Sequence, residues 1–262
     1  MTTMTVSEDL IDVRGRRVWV ASSGDGPPLV YLHGAGDLDG WGPALSLLAG
    51  DFTVYRPDHP GFNRSDDDPS VDCVLDLAFS YLDLLDALGL DRVHLVGSSL
   101  GGWIAAQAAV LAPDRVTKLV LADAAGLRVP GAAPDIFTLN PVQNASLLNH
   151  RPEFRAAAVA AAEQITGDPE LFQRYLRNRI ATAHLAWNPY LHDPKLGGRL
   201  HRITAPVLII WGAHDRLLPV DCAREWQAAL PGARLEIVDD AGHRPQAEQP
   251  AAFASLVKEF LG

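Results

Sequence analysis

A serine in a glycine-rich turn is the strongest chemical signal in the sequence. Ser99 lies in the segment G-S-S-L-G-G at residues 97–102, directly after a short apolar run and before a helical pattern. Ser99 has a glycine two residues before it and another two residues after it, whereas Ser98 has neither. A tight strand-to-helix turn of this kind exposes a serine hydroxyl above the edge of a sheet. The pattern therefore predicts that Ser99 is a nucleophile.

Short β-rich apolar runs alternate with longer helical patterns, which is typical of a mostly parallel sheet covered by helices on both faces. Leu10–Ser22 predicts two strands that turn at Arg14-Gly15. Further strands are predicted at residues 28–33, 53–56, 93–96, 116–122, 206–211 and 234–238. Helices are predicted near residues 41–48 and at 74–88, 100–111, 222–230 and 251–261.

The alternation stops between residues 126 and 203. This stretch holds scattered prolines and predicts two helices, Arg155–Gln164 and Pro169–Thr182. An all-helical insert between two strands is expected to cover the carboxyl edge of the sheet, where ligands bind in open α/β folds. We therefore expect a core of residues 1–125 and 204–262 and a helical cap of residues 126–203.

Five segments together resemble the α/β-hydrolase family. The first is the serine turn, and the others are H-G-A-G at 33–36, D-H-P-G-F-N-R-S at 58–65, W-G-A-H-D at 211–215 with Pro219, and A-G-H at 241–243 with Glu248 and Pro250. They occur in the order of the family, with serine, aspartate and histidine following one another. One departure is Asn63, which replaces the second glycine of the family's D-x-P-G-x-G-x-S loop. The resemblance implies an α/β-hydrolase fold with a mostly parallel eight-stranded sheet and a helical cap after strand 6.

The resemblance also implies roles for individual residues. Ser99 is expected to be the nucleophile, His243 the base that takes its proton, and Asp215 the acid that holds the histidine. The backbone N–H groups of Ala35 and Leu100 are the expected oxyanion hole. Asp123 follows the strand after the serine helix, where some members of the family carry the acid, and is the alternative to Asp215.

A serine nucleophile favours attack on a carbonyl group and an acyl-enzyme. The first expectation is hydrolysis of a carboxylic ester or lactone of a small to medium apolar molecule. Hydrolysis of a C–C bond in a vinylogous keto-acid is the alternative, although the enzymes of that type usually have H-G-x-G-P-G where Asp37 follows Gly36 here. A ligand-binding receptor with a slow triad is the third hypothesis, because a fold does not fix a function.

The residues that bind the substrate remain unassigned at this point. Three cap arginines, Arg174, Arg177 and Arg179, are of a type that holds carboxylates well, but an exposed helix face is the favoured explanation for them. Apolar candidates for a pocket are Trp41, Trp103, Phe137, Trp187 and Leu218. All five are also of the type that fills a core.

Composition narrows the class of partner. The formal net charge of −10 over 262 residues argues against nucleic acid or an anionic membrane as the main partner. No spacing of histidine, cysteine or carboxylate matches a metal site, so neither metal nor cofactor is expected. The N-terminal segment does not resemble a signal peptide, and a cytoplasmic location is expected. The expected partner is a small-molecule substrate, with monomer and homodimer both left open.

Overall fold

The computed structural model describes residues 5–38, 40–128 and 133–262. Eight strands form one sheet with the order β1-β2-β4-β3-β5-β6-β7-β8. Their bounds are β1 Ser7–Val13, β2 Arg16–Ser23, β3 Pro28–Leu32, β4 Thr53–Pro57, β5 Val93–Ser98, β6 Val116–Ala122, β7 Val207–Gly212 and β8 Arg234–Val238. The pairs β1–β2 and β2–β4 are antiparallel, and all other neighbours are parallel. The predicted fold class is confirmed.

Nine α-helices lie within the described residues. They are α1 Pro43–Leu48, α2 Val74–Ala87, α3 Leu100–Leu111, α4 Pro141–Leu148, α5 Pro152–Gly167, α6 Pro169–Ala186, α7 Val220–Ala229, α8 Pro245–Glu248 and α9 Pro250–Leu261. In the part of the chain that the structure describes, none of them combines the length and the apolar character that crossing a bilayer requires.

The central strands have helices packed on both sides. Along β3, Val30 and Leu32 belong to one apolar cluster and Leu29 and Tyr31 to another, because successive side chains of a strand point to opposite faces. The first cluster includes residues of α2, α3 and α7, and the second includes residues of α1 and α9. A strand buried on both faces reads as a continuous apolar run, as β3 and β7 do in the sequence.

Helices α4, α5 and α6 lie between β6 and β7. Across residues 126–128 and 133–203, the only β-type pairing is an isolated bridge between Gly126 and His192. The structure thus has the helical insert expected after the sixth strand. The division of the chain into core and cap at residues 125/126 and 203/204 stays a prediction.

Candidate active site

The turn between β5 and α3 holds Ser99 in an unusual backbone conformation, with φ of 54° and ψ of −117°. Both flanking positions require glycine, because a side chain there would collide with neighbouring backbone atoms. A Cβ atom on Gly97 would lie 2.3 Å from the carbonyl oxygen of Gly101, and one on Gly101 would lie 2.1 Å from that of Leu32. The serine is therefore held in a strained position that only this spacing of glycines permits.

Ser99, His243 and Asp215 form a continuous hydrogen-bonded chain. The Nε2 atom of His243 lies 2.9 Å from the Ser99 hydroxyl, and its Nδ1 atom lies 2.6 Å from Oδ2 of Asp215. The second oxygen of Asp215 accepts hydrogen bonds from the backbone N–H groups of Leu217 and Leu218, at 2.8 and 2.9 Å. An Nδ1–H that donates to Asp215 leaves Nε2 to accept the serine proton, so this geometry can activate the hydroxyl.

The structure distinguishes the two candidate acids by their partners. His243 hydrogen-bonds to Asp215, whereas Asp123, at the end of β6, uses Oδ1 to accept from the backbone N–H of Gly212 at 2.9 Å. Asp123 is fully buried. Burial and the neighbouring charge of Asp215 raise the pKa of Asp123 well above its usual value. The geometry therefore favours Asp215 as the acid that orients the histidine.

Within residues 5–38, 40–128 and 133–262, two groups of possible ligand residues come close enough together to hold a metal. One is the set Asp123, Asp215 and His243, and the other is the set Asp72, Cys73 and Asp76 at the start of α2. In each set, members are hydrogen-bonded to one another: His243 to Asp215, and the thiol of Cys73 to Asp76 at 3.0 Å. The absence of a metal stays a prediction.

The residues expected to form the oxyanion hole lie beside the serine. A Cβ atom on Gly34 would lie 3.4 Å from the Cβ of Ser99, so the segment after β3 passes directly against the nucleophile. Ala35 and Leu100 line the same cavity as Ser99. Their backbone N–H groups stay candidates for the hole.

Two buried histidines support the segment after β3. The N–H of His59 donates to Nε2 of His33 at 3.2 Å, and Nδ1 of His33 lies 2.8 Å from the carbonyl oxygen of Gly34. Nδ1 of His59 lies within hydrogen-bond distance of the Tyr81 hydroxyl, and its Nε2 lies 2.9 Å from the carbonyl oxygen of His33. The His33 ring accepts at Nε2 and faces a carbonyl oxygen at Nδ1, which is the pattern of a neutral imidazole. Burial lowers the pKa of His33 to about 3 and that of His59 well below its usual value.

A cavity of about 320 Å³ opens at Ser99 and His243, between the carboxyl edge of the sheet and helices α4–α6. Its lining is mostly apolar, and typical members are Ala35, Leu100, Phe137, Leu148, Ile165 and Leu217. Of the five apolar candidates from the sequence, Phe137 belongs to this lining. Trp187 is 59% exposed and stacks on Phe137 at 5.2 Å, whereas Trp103 and Leu218 are buried outside the lining. Trp41 donates its indole N–H to Ser46 and is also outside the lining.

The three cap arginines bind protein groups. Arg174 donates to the carbonyl oxygen of Leu38 at 3.3 Å. Arg177 donates to Asp67 at 2.7 Å and to the carbonyl oxygen of Asn63 at 2.9 Å. Arg179 donates to the carbonyl oxygens of Ile136 and Phe137 at 2.6 and 2.9 Å and, of the three, is the one that lines the cavity. The three guanidinium groups thus join α6 to loops, and Arg179 also lines the cavity.

Among the polar residues of the cavity that sequence reasoning missed are Asn144 and Gln246. Both line it, and the carbonyl oxygens of their side-chain amides are buried without a hydrogen-bond partner among the described residues. A signal existed for Gln246, because it lies three residues after His243 in the turn that begins at Pro245. Asn144 lies on α4, a helix that the sequence did not predict.

Comparison with known proteins agrees with this geometry. Residues 29–256 match the family model described as the alpha/beta hydrolase family. The chain belongs to the alpha/beta hydrolase family. The resemblance drawn from the sequence is thus confirmed, and so is the expectation of an enzyme, a hydrolase.

Curated relatives of this hydrolase carry one recurrent name. The 2-hydroxy-6-oxononadienedioate/2-hydroxy-6-oxononatrienedioate hydrolase 2 of Pseudomonas putida is 34% identical over 251 residues, which cover 89% of this chain and 87% of the relative. A protein with the same name from Cupriavidus pinatubonensis is 33% identical over 252 residues, covering 89% and 86%. Among solved structures, the 2-hydroxy-6-oxo-6-phenylhexa-2,4-dienoate hydrolase of Rhodococcus sp. strain RHA1 shares the fold. Its TM-score is 0.83 at 24% identity, with 98% of this chain and 99% of that chain covered.

Asn63, the departure from the family's glycine pattern, has a structural explanation in this hydrolase. Its φ is 44°, in the left-handed region that asparagine tolerates better than most residues. Its side chain and that of Asn178 on α6 form a reciprocal pair: Asn178 Nδ2 donates to Asn63 Oδ1, and the N–H of Asn63 donates to Asn178 Oδ1, both at 2.9 Å. The asparagine therefore keeps the turn and also holds α6 against the loop.

Glu248 joins the histidine loop to the turn between α4 and α5. One carboxylate oxygen accepts from the N–H of Gly242 at 2.7 Å, and the other accepts from the N–H groups of His150 and Arg151 at 2.8 and 2.7 Å. The N–H of His243 also donates to the carbonyl oxygen of Leu148 at 3.0 Å. The side chain of Glu248 is buried, so these hydrogen bonds to a charged group are among the stronger ones.

Proposed function

We propose that this hydrolase cleaves a C–C bond in a 2-hydroxy-6-oxo-dienoate, a vinylogous keto-acid, through a triad of Ser99, His243 and Asp215. The observation that carries the proposal is the 34% identity, over 89% of the chain, to a relative named for hydrolysis of such a compound. The comparisons thus favour the alternative over ester or lactone hydrolysis, which was the first expectation from the sequence.

The chemistry follows from the geometry at the serine. The bound enol first transfers the proton of its C2 hydroxyl to C5, which gives the keto tautomer. His243 then takes the hydroxyl proton of Ser99 while Ser99 Oγ bonds to the C6 ketone carbon, and the C6 oxygen becomes an oxyanion facing the N–H groups of Ala35 and Leu100. Collapse breaks the C5–C6 bond, and its electron pair passes through the C3–C4 double bond toward the C2 carbonyl. The imidazolium returns the proton to this leaving dienolate. Water then hydrolyses the acyl-serine and releases a carboxylic acid.

The polar groups of the cavity support a substrate that can donate a hydrogen bond. The side-chain oxygens of Asn144 and Gln246 are buried acceptors without a protein partner among the described residues, and a buried acceptor gains from a donor. The enol O–H of a 2-hydroxy-dienoate is such a donor, whereas a simple alkyl ester has none. Arg179 and Arg244, which both line the cavity, supply positive charge for a carboxylate.

The test compares two substrate series on the same preparation. Initial rates are measured for 2-hydroxy-6-oxo-hexa-2,4-dienoates with methyl, phenyl and carboxyethyl groups at C6, and for p-nitrophenyl esters from acetate to octanoate. We expect kcat/KM to be at least about 100-fold higher for the best dienoate, a difference of roughly 2.7 kcal/mol in transition-state stabilisation. Faster turnover of the esters would instead establish an ester hydrolase.

The turnover rates, together with a binding measurement, also test the receptor hypothesis. A receptor would bind a dienoate tightly and turn it over at less than about one per minute, far below the median enzyme rate of roughly 10 per second. Binding measured by calorimetry with the Ser99→Ala variant, beside turnover of the unaltered protein, separates the two cases.

A further inference from the structure

Asp123 is a buried titratable group that the proposed mechanism does not use. It ends β6 with a φ of 45° and is fully buried. One of its carboxyl oxygens lies within 4.8 Å of both a carboxyl oxygen of Asp215 and a ring nitrogen of His243. Oδ1 accepts from the N–H of Gly212, and Oδ2 has no hydrogen-bond partner among the described residues.

The hydrogen bonds decide where the charge of this carboxyl pair lies. Two buried carboxyl groups with oxygens within 4.8 Å of each other repel strongly when both are ionised, which favours a proton on one of them. Asp215 has three partners that stabilise its anion, namely the N–H groups of Leu217 and Leu218 and the ring of His243. Asp123 has one such partner, Gly212. The negative charge therefore belongs on Asp215 and the proton on Asp123.

The charged groups around Asp123 agree with this assignment. Burial, then the charge of Asp215, and more weakly that of Glu248, all raise the pKa of Asp123, while the hydrogen bond from Gly212 lowers it. His243 faces the same group and is hydrogen-bonded to Asp215. A positive charge that forms on His243 during turnover is therefore balanced by Asp215.

We propose that Asp123 is a positioning residue that stays protonated through turnover and points its O–H at Asp215, which holds that carboxylate in line with His243. The proposal rests on the triad of the proposed function but not on the identity of the substrate. A neutral carboxylic acid that accepts at one oxygen and donates at the other has the hydrogen-bonding pattern of an asparagine amide. Asparagine should therefore replace Asp123, whereas alanine should not.

The experiment measures how fast a fluorophosphonate labels Ser99, a readout of the triad that needs no knowledge of the substrate. The variants are Asp123→Asn and Asp123→Ala, with Asp215→Asn as the reference for loss of the acid. We expect Asp123→Asn to keep the labelling rate within about 3-fold of the unaltered protein. Asp123→Ala should lower the rate by at least about 10-fold and displace the acid limb of its pH profile.

Each outcome decides the matter. If Asp123→Asn loses as much of the labelling rate as Asp215→Asn does, Asp123 works as an anion and the proposal is wrong. If Asp123→Ala leaves the labelling rate and its pH profile unchanged, Asp123 positions nothing and the proposal is also wrong. If Asp123→Ala does not fold, infrared spectroscopy of the unaltered protein at neutral pH decides instead. The C=O stretching band of a protonated carboxyl must be present and must vanish in Asp123→Asn. A protein that labels normally but leaves dienoates intact contradicts the proposed function and not this inference.

Discussion

Ser99 and Ser98 are neighbours in the same turn, yet their surroundings give them different chemistry. Ser99 lies 2.9 Å from the imidazole of His243. Ser98 is 2% exposed, and its hydroxyl accepts a hydrogen bond from Gln246 at 3.1 Å. The glycine spacing in the sequence favours the same serine, because Gly97 and Gly101 frame Ser99.

At the residue scale, the matched pair Ser99→Ala and Ser98→Ala tests the nucleophile. Ser99→Ala should lower kcat by at least about 10³-fold, because among the described residues the Ser99 hydroxyl is the one hydrogen-bonded to Nε2 of His243. Ser98→Ala should lower it by less than about 10-fold, the scale of one lost hydrogen bond. Steady-state rates on the best dienoate check both values, and circular dichroism checks that both variants fold. Equal losses in the two variants would contradict the assignment of Ser99.

The sequence did not predict the roles of residues that act only through a distant partner. The glycine turn, the histidine and the preferred aspartate were predicted from short motifs and their order along the chain, and their roles stay predictions. The pairing of Asn63 with Asn178 joins positions 115 residues apart, and the acceptor oxygens of Asn144 and Gln246 matter only because a cavity forms beside them. Neither the asparagine pair nor the position of these oxygens in the cavity leaves a pattern in the local sequence.

The sequence predicted all eight strands of the described sheet but missed two short helices that begin with proline, α4 and α8. The hairpin at Arg14-Gly15 and the alternating strands lie within a few residues of their predicted bounds. Helix α4 was missed because the prolines around it suggested a loop. Pro141 instead occupies the first turn of the helix, where its missing N–H costs nothing, and Asn140 and Gln143 form a capping box.

At the element scale, the Asn63–Asn178 pair predicts an energetic link between α6 and the loop after β4. Asn63→Gly keeps the left-handed turn but removes the side-chain bonds, whereas Asn63→Ala adds strain at φ 44° as well. We expect Asn63→Ala to lower the free energy of unfolding by about 2–4 kcal/mol, more than Asn63→Gly does. Urea unfolding of both variants measures this.

A double-mutant cycle isolates the pair itself. Asn63→Gly combined with Asn178→Ala should show a coupling free energy of about 0.5–3 kcal/mol, as expected for residues in direct contact. Additive effects would mean that the amides are not paired in solution.

For the whole molecule, the neutral histidines under the segment after β3 predict sensitivity to acid. The pKa of His33 is lowered to about 3 in the folded protein from 6.5, so the unfolded chain binds a proton below pH 6.5 that the folded chain does not. The free energy of unfolding therefore falls as the pH falls from 6.5 toward about 3, and His59 acts in the same direction. The raised pKa of Asp123 has the opposite sign, because the folded state then holds the extra proton.

Urea unfolding at several pH values between 6.5 and 5 measures this slope, in a range where few carboxyl groups titrate. His33→Gln should reduce the slope by up to about 1.4 kcal/mol per pH unit, the value for one proton. His201→Gln, at an exposed histidine of the same chain, should leave it unchanged. An unaltered slope in His33→Gln would show that this histidine is not neutral when folded.

The carboxylate of Glu248 couples the histidine loop to the helices above the cavity, so ordering one should also order the other. Because it binds the N–H groups of Gly242, His150 and Arg151 at once, a ligand that orders the helices above the cavity also orders the histidine loop. A covalent adduct on Ser99 should therefore protect α4 and α5 from proteolysis. Glu248→Gln should weaken that protection, whereas Glu259→Gln, at an exposed glutamate of α9, should not.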